Sequence, residues 1–271
     1  MLKFILGFIM YSIINNTLGQ SVNTIIGGRS SGLAGTGSVI KDISATSNNI
    51  GALAFVEETN VAFSTEFHPK LPGSSKVSSC FSLPTKLGVT GISLFRFGDN
   101  VYNELVIGIG HSHKIGISSL GIRANYIQYH SETLSNKYAF RLDFGCLTDI
   151  TPKLFVGAYI LNITKSKLSS EALPTKFVVG LGIKPTTHLF IISEIEKTLT
   201  YPTTFKAGVE YKVYNKLFLR TGINMSPNAG YGGIGMVIKK FNIDYAMKFT
   251  SVLGTSYSAS LSYSFTRNKK Q

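Results

Sequence analysis

The side chains in this sequence that could do chemistry are histidines, serines and a scattered set of charged residues. His111 and His113 are two positions apart, so on a strand they would point to the same side, as a pair of metal ligands does. A stable metal site usually needs at least three protein ligands, and no Cys, Asp or Glu stands beside them to complete one. Serines are abundant, but no arrangement of a serine with a histidine indicates nucleophilic catalysis. The residue types therefore predict no enzyme, no metal site and no cofactor.

Charged residues that alternate with apolar ones are more informative. They are predicted to line an interior, together with two apolar residues: Arg141, Asp143, Glu194, Glu196, Glu210, Arg220, Asp244, Phe190 and Ile192. The charged members could set the selectivity of a channel, or they could form a paired ion network that fills a narrow interior. Charges removed from bulk water must be paired, which favours the network. Phe190 and Ile192 share the face of Glu194, where they would suit a hydrophobic ligand. The opposite assignment of faces on that strand also fits the sequence.

Runs of alternating apolar and polar residues predict the elements that position these side chains. The clearest is Gly254–Phe265, where Tyr257, Leu261 and Tyr263 share one face and serines occupy the other. Similar runs recur over residues 60–266, about fourteen in all, although twelve or sixteen strands also fit. The pattern predicts an all-β fold, a transmembrane antiparallel β-barrel, in which Gly254–Phe265 closes the wall by pairing with the first strand.

The connections between these runs support a barrel. Those after even-numbered strands are short and those after odd-numbered strands tend to be longer, as in barrels with short periplasmic turns and longer outer loops. The short turns are placed at residues 83–85, 111–114, 149–152, 184–187, 214–215 and 239–240. The alternation also predicts how two neighbouring strands pair. If the apolar faces of two neighbouring strands point outward, Glu210 lies directly opposite Arg220.

The first residues predict export. Lys3 precedes the apolar run Phe4–Ile14, and small residues follow near position 19. This is the pattern of a cleaved secretory signal peptide, assigned to residues 1–19. The apolar run is too short to span a bilayer comfortably as a helix.

Residues 20–59 lack clean alternation and begin with a glycine-rich stretch. We predict that they form an N-terminal arm or plug, folded inside the barrel or across its mouth. The candidate plug residues are Arg29, Gly32, Gly35 and Asn49. Residues 267–271 are predicted to be a basic periplasmic tail.

The composition agrees with a wall that faces lipid. Charged residues make up 15% of the chain, against roughly 25% in soluble domains. The net charge of +13 is spread over predicted loops and turns, so contact with anionic lipid head groups is expected and nucleic acid is not. Cys80 and Cys146 fall on strands that are not predicted neighbours, so no disulfide is expected.

Several segments together resemble a known family. They include RLDFGCLTDI from Arg141, FKAGVEYKVYNKLFLRTGIN from Phe205 and GGRSSGLAGTG from Gly27. The chain resembles the PorV/PorQ-type outer-membrane proteins of the Bacteroidetes, which are similar in turn to the long-chain fatty-acid transporter (FadL) family. The resemblance implies a fourteen-stranded barrel with an N-terminal segment in the lumen. The chain departs from the family at Asn49–Leu53, which lacks the proline usual in that turn, and its outer loops are modest.

Three functions are compatible with this pattern. The first is a passive outer-membrane conduit for small hydrophobic molecules. The second is an accessory barrel of a type IX protein secretion system, and the third is a structural barrel without a transported ligand. The expected partners are outer-membrane lipid and lipopolysaccharide, with a hydrophobic ligand or secretion-system components according to the function.

Overall fold

The structure is a computed structural model that describes residues 27–132, 134–168, 171–199, 202–251 and 253–265. The predicted signal peptide and basic tail lie outside these residues. Three short helices come first: α1 (Gly28–Gly32) and the 3₁₀ helices η1 (Ile43–Thr46) and η2 (Ile50–Phe55). The strands are β1 (Thr59–Phe67), β2 (Lys76–Thr85), β3 (Gly88–Gly98), β4 (Tyr102–Ile115), β5 (Ser118–Ser131), β6 (Leu134–Thr151), β7 (Leu154–Leu161), β8 (Lys167–Leu168), β9 (Glu171–Ala172), β10 (Lys176–Ile183), β11 (Leu189–Thr198), β12 (Thr204–Tyr214), β13 (Leu217–Met225), β14 (Asn228–Ile238), β15 (Phe241–Thr250) and β16 (Gly254–Phe265).

The strands other than β8 and β9 form one closed antiparallel barrel, which confirms the predicted fold class. The last strand pairs with the first, from Thr59 opposite Phe265 to Phe67 opposite Tyr257. Closure leaves no sheet edge, as a bilayer requires of a spanning sheet. Strands β8 and β9 form a separate two-stranded hairpin within the long connection between β7 and β10.

Large apolar side chains cover the outside of the barrel. Phe63, Phe140 and Phe249 are 53%, 73% and 62% exposed, because each lies on the outward face of its strand. An outward apolar wall of this kind suits lipid and would be unfavourable in water. On β16, Tyr257 packs on Phe67 at one end and Tyr263 packs on Phe241 at the other.

Two turns lie further along the chain than predicted. Residues 83–85 belong to β2, which ends at Thr85, and residues 111–114 belong to β4, which continues to Ile115. His111 and His113 therefore lie on the exposed face of a strand, and both contact the carbonyl oxygen of Leu87. The turn falls at Gly116 and Ile117, where Gly116 has a φ of 60°. A left-handed backbone position favours glycine, so the glycine rather than the polar run fixes the turn.

The two ends of the barrel differ. We call one the turn end: it carries the connections 86–87, 116–117, 152–153, 184–188, 215–216 and 239–240, and the barrel starts and finishes there. The opposite end, the loop end, carries the long connections 68–75 and 162–175. Its connections 132–133 and 226–227 are as short as the turns, because the flanking strands run further than predicted. The expected difference in length thus comes mainly from two loops.

Cys80 and Cys146 are free thiols, as expected. No helix in the described part of the chain is long and apolar enough to cross a membrane.

Candidate functional site

Residues 27–57 lie inside the barrel as a plug, as predicted for the arm. Helix α1 packs against β13–β16, η1 against β1–β3, and η2 against β3–β7. The plug is held in its own shape by two side-chain caps: Asp42 accepts from the N–H of Ser44 and Asn49 from that of Gly51. Capping of this kind satisfies amide groups that would otherwise be buried without a partner. Leu33 and Leu53 are fully buried.

The plug sits against inward-facing glycines of the wall. A side chain at Gly208 would meet the backbone of Leu33, and one at Gly121 would meet the backbone of Ile50. Only a residue without a Cβ lets two backbones approach this closely. The glycines in contact with the plug backbone or Asn49 are Gly121, Gly145, Gly157, Gly208, Gly222 and Gly233. We call this set the glycine seat.

One ion network joins α1 to the wall. The guanidinium of Arg29 donates to both carboxylate oxygens of Glu210, at 2.9 and 2.7 Å, and lies 3.1 Å from Asp42. Arg220 donates to Glu210 and to Asp244, each at 2.6 Å. Burial alone would lower the pKa of Arg29, but the carboxylates of Glu210 and Asp42 outweigh it and raise that pKa. Arg29 is therefore permanently charged and ties the plug to β12.

The register prediction for this network is confirmed, since Glu210 stands directly opposite Arg220. The connection between β12 and β13 contains a shift in register as well as a short turn. Tyr214 pairs with Leu217, and the register shifts between Lys212 and Tyr214. The shift leaves one extra residue in β12, as a β-bulge does, so that Glu210 faces Arg220 across the short turn 215–216.

A second anchor holds the plug where it turns between α1 and η1. A carboxylate oxygen of Glu194 accepts the backbone N–H groups of Gly37 and Ser38, both at 2.6 Å. The neighbouring Glu196 is paired with Lys176 at 2.7 Å and Lys206 at 2.6 Å. Glu194 thus binds the plug to β11, whereas Glu196 pairs with lysines of the neighbouring wall strands.

A third cluster lies on β5 and β6. Asp143 is 1% exposed and accepts from Arg123 at 2.8 Å, with Arg141 at 2.9 Å. Asn125 and the N–H of Asn162 also donate to it. Arg123 reaches onward to the carbonyl of Thr46 in the plug. Arg123 is not among the residues predicted to line the interior; the signal that identifies it is its position directly opposite Asp143 once β5 and β6 are in register.

The apolar pair on β11 faces inward but is covered. Phe190 and Ile192 are 6% and 0% exposed and pack in one cluster with Val39, Ile40 and Leu53 of the plug. The patch proposed for a greasy ligand is thus occupied by the plug's own side chains. Beside it, Lys41 pairs with Asp149 at 2.5 Å and lies over the rings of Phe55 and Phe155. Burial lowers the pKa of Lys41, and Asp149 opposes that effect.

The remaining predicted plug residues lie in the same contact zone. Gly32 packs against Arg220 and Gly233, and Gly35 has a φ of 68° in the turn after α1. Asn49 is fully buried and donates to the carbonyl oxygens of Ser38 and Cys146. Asn49 therefore connects two parts of the plug to β6.

A cavity lies on each side of the plug. The turn-end cavity, of about 200 Å³, is lined by Arg29, Asp42, Arg220 and the serines of β16. The loop-end cavity, of about 300 Å³, is lined by lysines, glutamates and hydroxyl groups. Both are polar.

The apolar part of the loop end is filled instead. Phe95, Val106, Ile127, Tyr129 and Ala139 form a buried cluster on β3–β6. Leu168 and Leu173, on and beside the β8–β9 hairpin, pack into it. We call this the loop-end apolar cluster.

Arg29 offers a direct test of how the plug is held. In Arg29→Gln, the bidentate pair with Glu210 is lost, and such charged hydrogen bonds contribute about 1.5–3 kcal/mol. We expect a protease to cut within residues 27–42 about tenfold faster than in the wild-type barrel, because 1.4 kcal/mol changes a population tenfold. Mass spectrometry of the fragments measures this. Arg96→Gln, an exposed change on β3, is the matched control, and equal cleavage rates in all three proteins would contradict the anchor.

Comparison with known proteins shows the fold. No family model and no curated protein matches the sequence. Among solved structures, the chain is similar to the Ralstonia pickettii toluene transporter TbuX, with a TM-score of 0.73 and 12% identity over 90% of this chain and 100% of that one. It is similar to the Pseudomonas putida toluene transporter TodX, with a TM-score of 0.67 and 11% identity over 91% and 100%. It is also similar to a Pseudomonas aeruginosa FadL homologue, with a TM-score of 0.66 and 12% identity over 92% of this chain and 100% of that one.

Proposed function

We propose that this protein is an outer-membrane barrel that passively conducts small hydrophobic molecules. The observation that carries the proposal is the loop-end apolar cluster, an interior apolar surface on β3–β6 against which Leu168 and Leu173 pack. The interior of a barrel that passes water and ions is typically polar, so an apolar inner surface favours a hydrophobic solute. The fold shared with two toluene transporters and a FadL homologue supports the same function.

A hydrophobic molecule entering at the loop end would displace Leu168 and Leu173 and take their place on β3–β6. Two further layers then lie in its way. The Arg123–Asp143–Arg141 cluster is polar, and beyond it η2 fills the lumen. Passage across the whole barrel therefore requires the plug to shift, so we propose that the structure is the closed state.

Uptake into liposomes tests the proposal. Wild-type protein should accelerate entry of labelled toluene or a labelled fatty acid over empty liposomes. Val106→Asn should reduce that rate about tenfold, since a polar group in an apolar site costs about 1–3 kcal/mol. The matched control is Val237→Asn, which makes the same change in the turn-end cavity. A wild-type rate equal to that of empty liposomes would overturn the proposal.

The resemblance of the sequence to PorV/PorQ-type proteins supports a second candidate, an accessory barrel of a type IX secretion system. A lumen held shut by three polar clusters suits a barrel that acts through its outer surface. The partners would then be secretion-system components, with lipid and lipopolysaccharide around the wall in either case. A deletion strain that exports all of its cargo would count against it, and a strain that loses cargo while hydrocarbon uptake is intact would favour it over the conduit. If both assays are negative, the remaining candidate is a structural barrel without a transported ligand.

A further inference from the structure

The loop-end cavity is bounded by a band of polar side chains that runs across nine neighbouring strands. Each member stands opposite or diagonal to the next in the strand registers. In order around the wall they are Lys176, Glu196, Lys206, Asn224, Tyr231, Lys248, Ser256, Ser258, Glu66 and Lys76. We call this set the lysine band.

The band carries more positive than negative charge. Lys76 is paired with Glu66 at 3.0 Å, and Glu196 is shared by Lys176 and Lys206. Those contacts use both carboxylates. Lys248 makes no ion pair with any residue in the described ranges; its ammonium lies 5.9 Å from the ring centre of Tyr231. Of these residues Lys76, Lys206, Lys248, Glu66 and Glu196 line the cavity, so its lining has an excess of one positive charge.

Unused hydrogen-bond donors lie next to Lys248. Lys248 stands opposite Ser256, and Ser256 and Ser258 are 2% and 5% exposed. Within the described chain, neither hydroxyl makes a hydrogen bond. Both residues line the cavity, so a solute there can accept hydrogen bonds from their hydroxyl groups. They are placed to donate to a group held by Lys248.

The shape of the cavity selects the kind of ligand. The apolar half of the loop end, on β3–β6, is filled by Leu168 and Leu173. What remains open is bordered by ammonium and hydroxyl groups, by the plug backbone at Gly35, and by the carboxylates of Glu66 and Glu196, which are paired with lysines. A hydrocarbon tail would find little apolar surface there, whereas an oxyanion would find charged donors and hydroxyl donors together.

We propose that the loop-end cavity binds a small, soluble oxyanion such as phosphate or a short dicarboxylate, with Lys248 as its primary cation and Ser256 and Ser258 as additional donors. The site faces the lumen, so it is open to solutes and not to the lipid around the barrel. It is separate from the loop-end apolar cluster, and the proposal does not depend on hydrophobic transport.

Equilibrium dialysis of labelled inorganic phosphate against the refolded full chain in a non-ionic detergent tests the site. We expect saturable binding that succinate displaces at a concentration at which chloride does not. Lys248→Gln should weaken binding about tenfold, the effect of one charged hydrogen bond. Lys240→Gln removes the same charge at the exposed turn of the same β14–β15 hairpin and should leave binding unchanged.

A second variant keeps the charge constant. Ser256→Ala with Ser258→Ala removes the two hydroxyl donors and should weaken phosphate binding severalfold, with the circular dichroism of the barrel unchanged. The proposal is overturned if wild-type protein binds no phosphate, if Lys248→Gln binds as wild type does, or if Lys240→Gln loses as much affinity as Lys248→Gln. Liposome uptake of toluene is not part of the readout, so failure here leaves the conduit proposal standing.

Discussion

Replacing Asp143 by alanine should destabilise the barrel by about 3–5 kcal/mol, the cost of leaving buried charges without their partner. Asp143 neutralises two guanidinium groups, those of Arg123 and Arg141, and all three side chains are at most 8% exposed. Its carboxylate also accepts from Asn125 and from the N–H of Asn162. Without it, two cations repel each other inside the lumen and two donors lose their acceptor.

The chain has no tryptophan, so unfolding in guanidinium is followed by far-ultraviolet circular dichroism of protein reconstituted in vesicles. Glu132→Ala is the matched control, because it removes an exposed carboxylate from the same β5–β6 hairpin. It should change the free energy of unfolding by less than about 0.5 kcal/mol, as surface substitutions usually do.

The pairing also predicts a partial rescue. Removing one cation as well, in Arg141→Gln with Asp143→Ala, should recover part of the lost stability, because only one uncompensated charge then remains. If the double variant is less stable than Asp143→Ala, or if Asp143→Ala unfolds at the wild-type midpoint, the cluster does not hold the wall as the geometry indicates.

Sequence patterning was sufficient for the wall of this barrel. The face on which a strand residue lies depends only on whether its position is odd or even, so alternation placed Arg141, Glu210 and Asp244 on the inside without any knowledge of packing. The same parity put Glu210 opposite Arg220, and a bulge at the turn preserved it. Closure followed because a bilayer tolerates no open edge.

The route of the plug could not be read from the sequence. Its position depends on contacts between residues far apart in the chain, such as Glu194 with Gly37 and Arg123 with Thr46. For the same reason the sequence left the face of Phe190 and Ile192 open, and the structure places them inward under the side chains of the plug. The turn predicted at His111 lies instead at the left-handed Gly116.

Gly157→Leu should unseat the plug and open the lumen. Gly157 is buried on the inner face of β7, and the Cβ of any larger residue there would meet the carbonyl group of Ser38 and the side chain of Val39. The nearest of these atoms belong to the backbone of Ser38, which cannot move aside as a flexible side chain can, so the plug must shift. Overpacking costs about 1–3 kcal/mol, which raises the displaced population by a factor of about 5 to 150.

The opening is measured as ion current through single barrels in a planar bilayer. Wild-type protein should show rare, brief openings, and Gly157→Leu should be open for a far larger fraction of the time. Gly232→Leu is the control for size: Gly232 lies on β14 with no heavy atom within 4 Å of its would-be Cβ, so it should conduct as the wild type does.

A second seat position separates displacement of the plug from damage to β7. Gly208→Leu, on β12, would meet the backbone of Leu33 and should give the same long openings with the same conductance, because both variants would empty one lumen. Protease cleavage within residues 27–57 should rise in parallel with the current. Long openings without faster cleavage would mean that current passes around a seated plug, and current unchanged in both seat variants would show that the plug does not close the lumen.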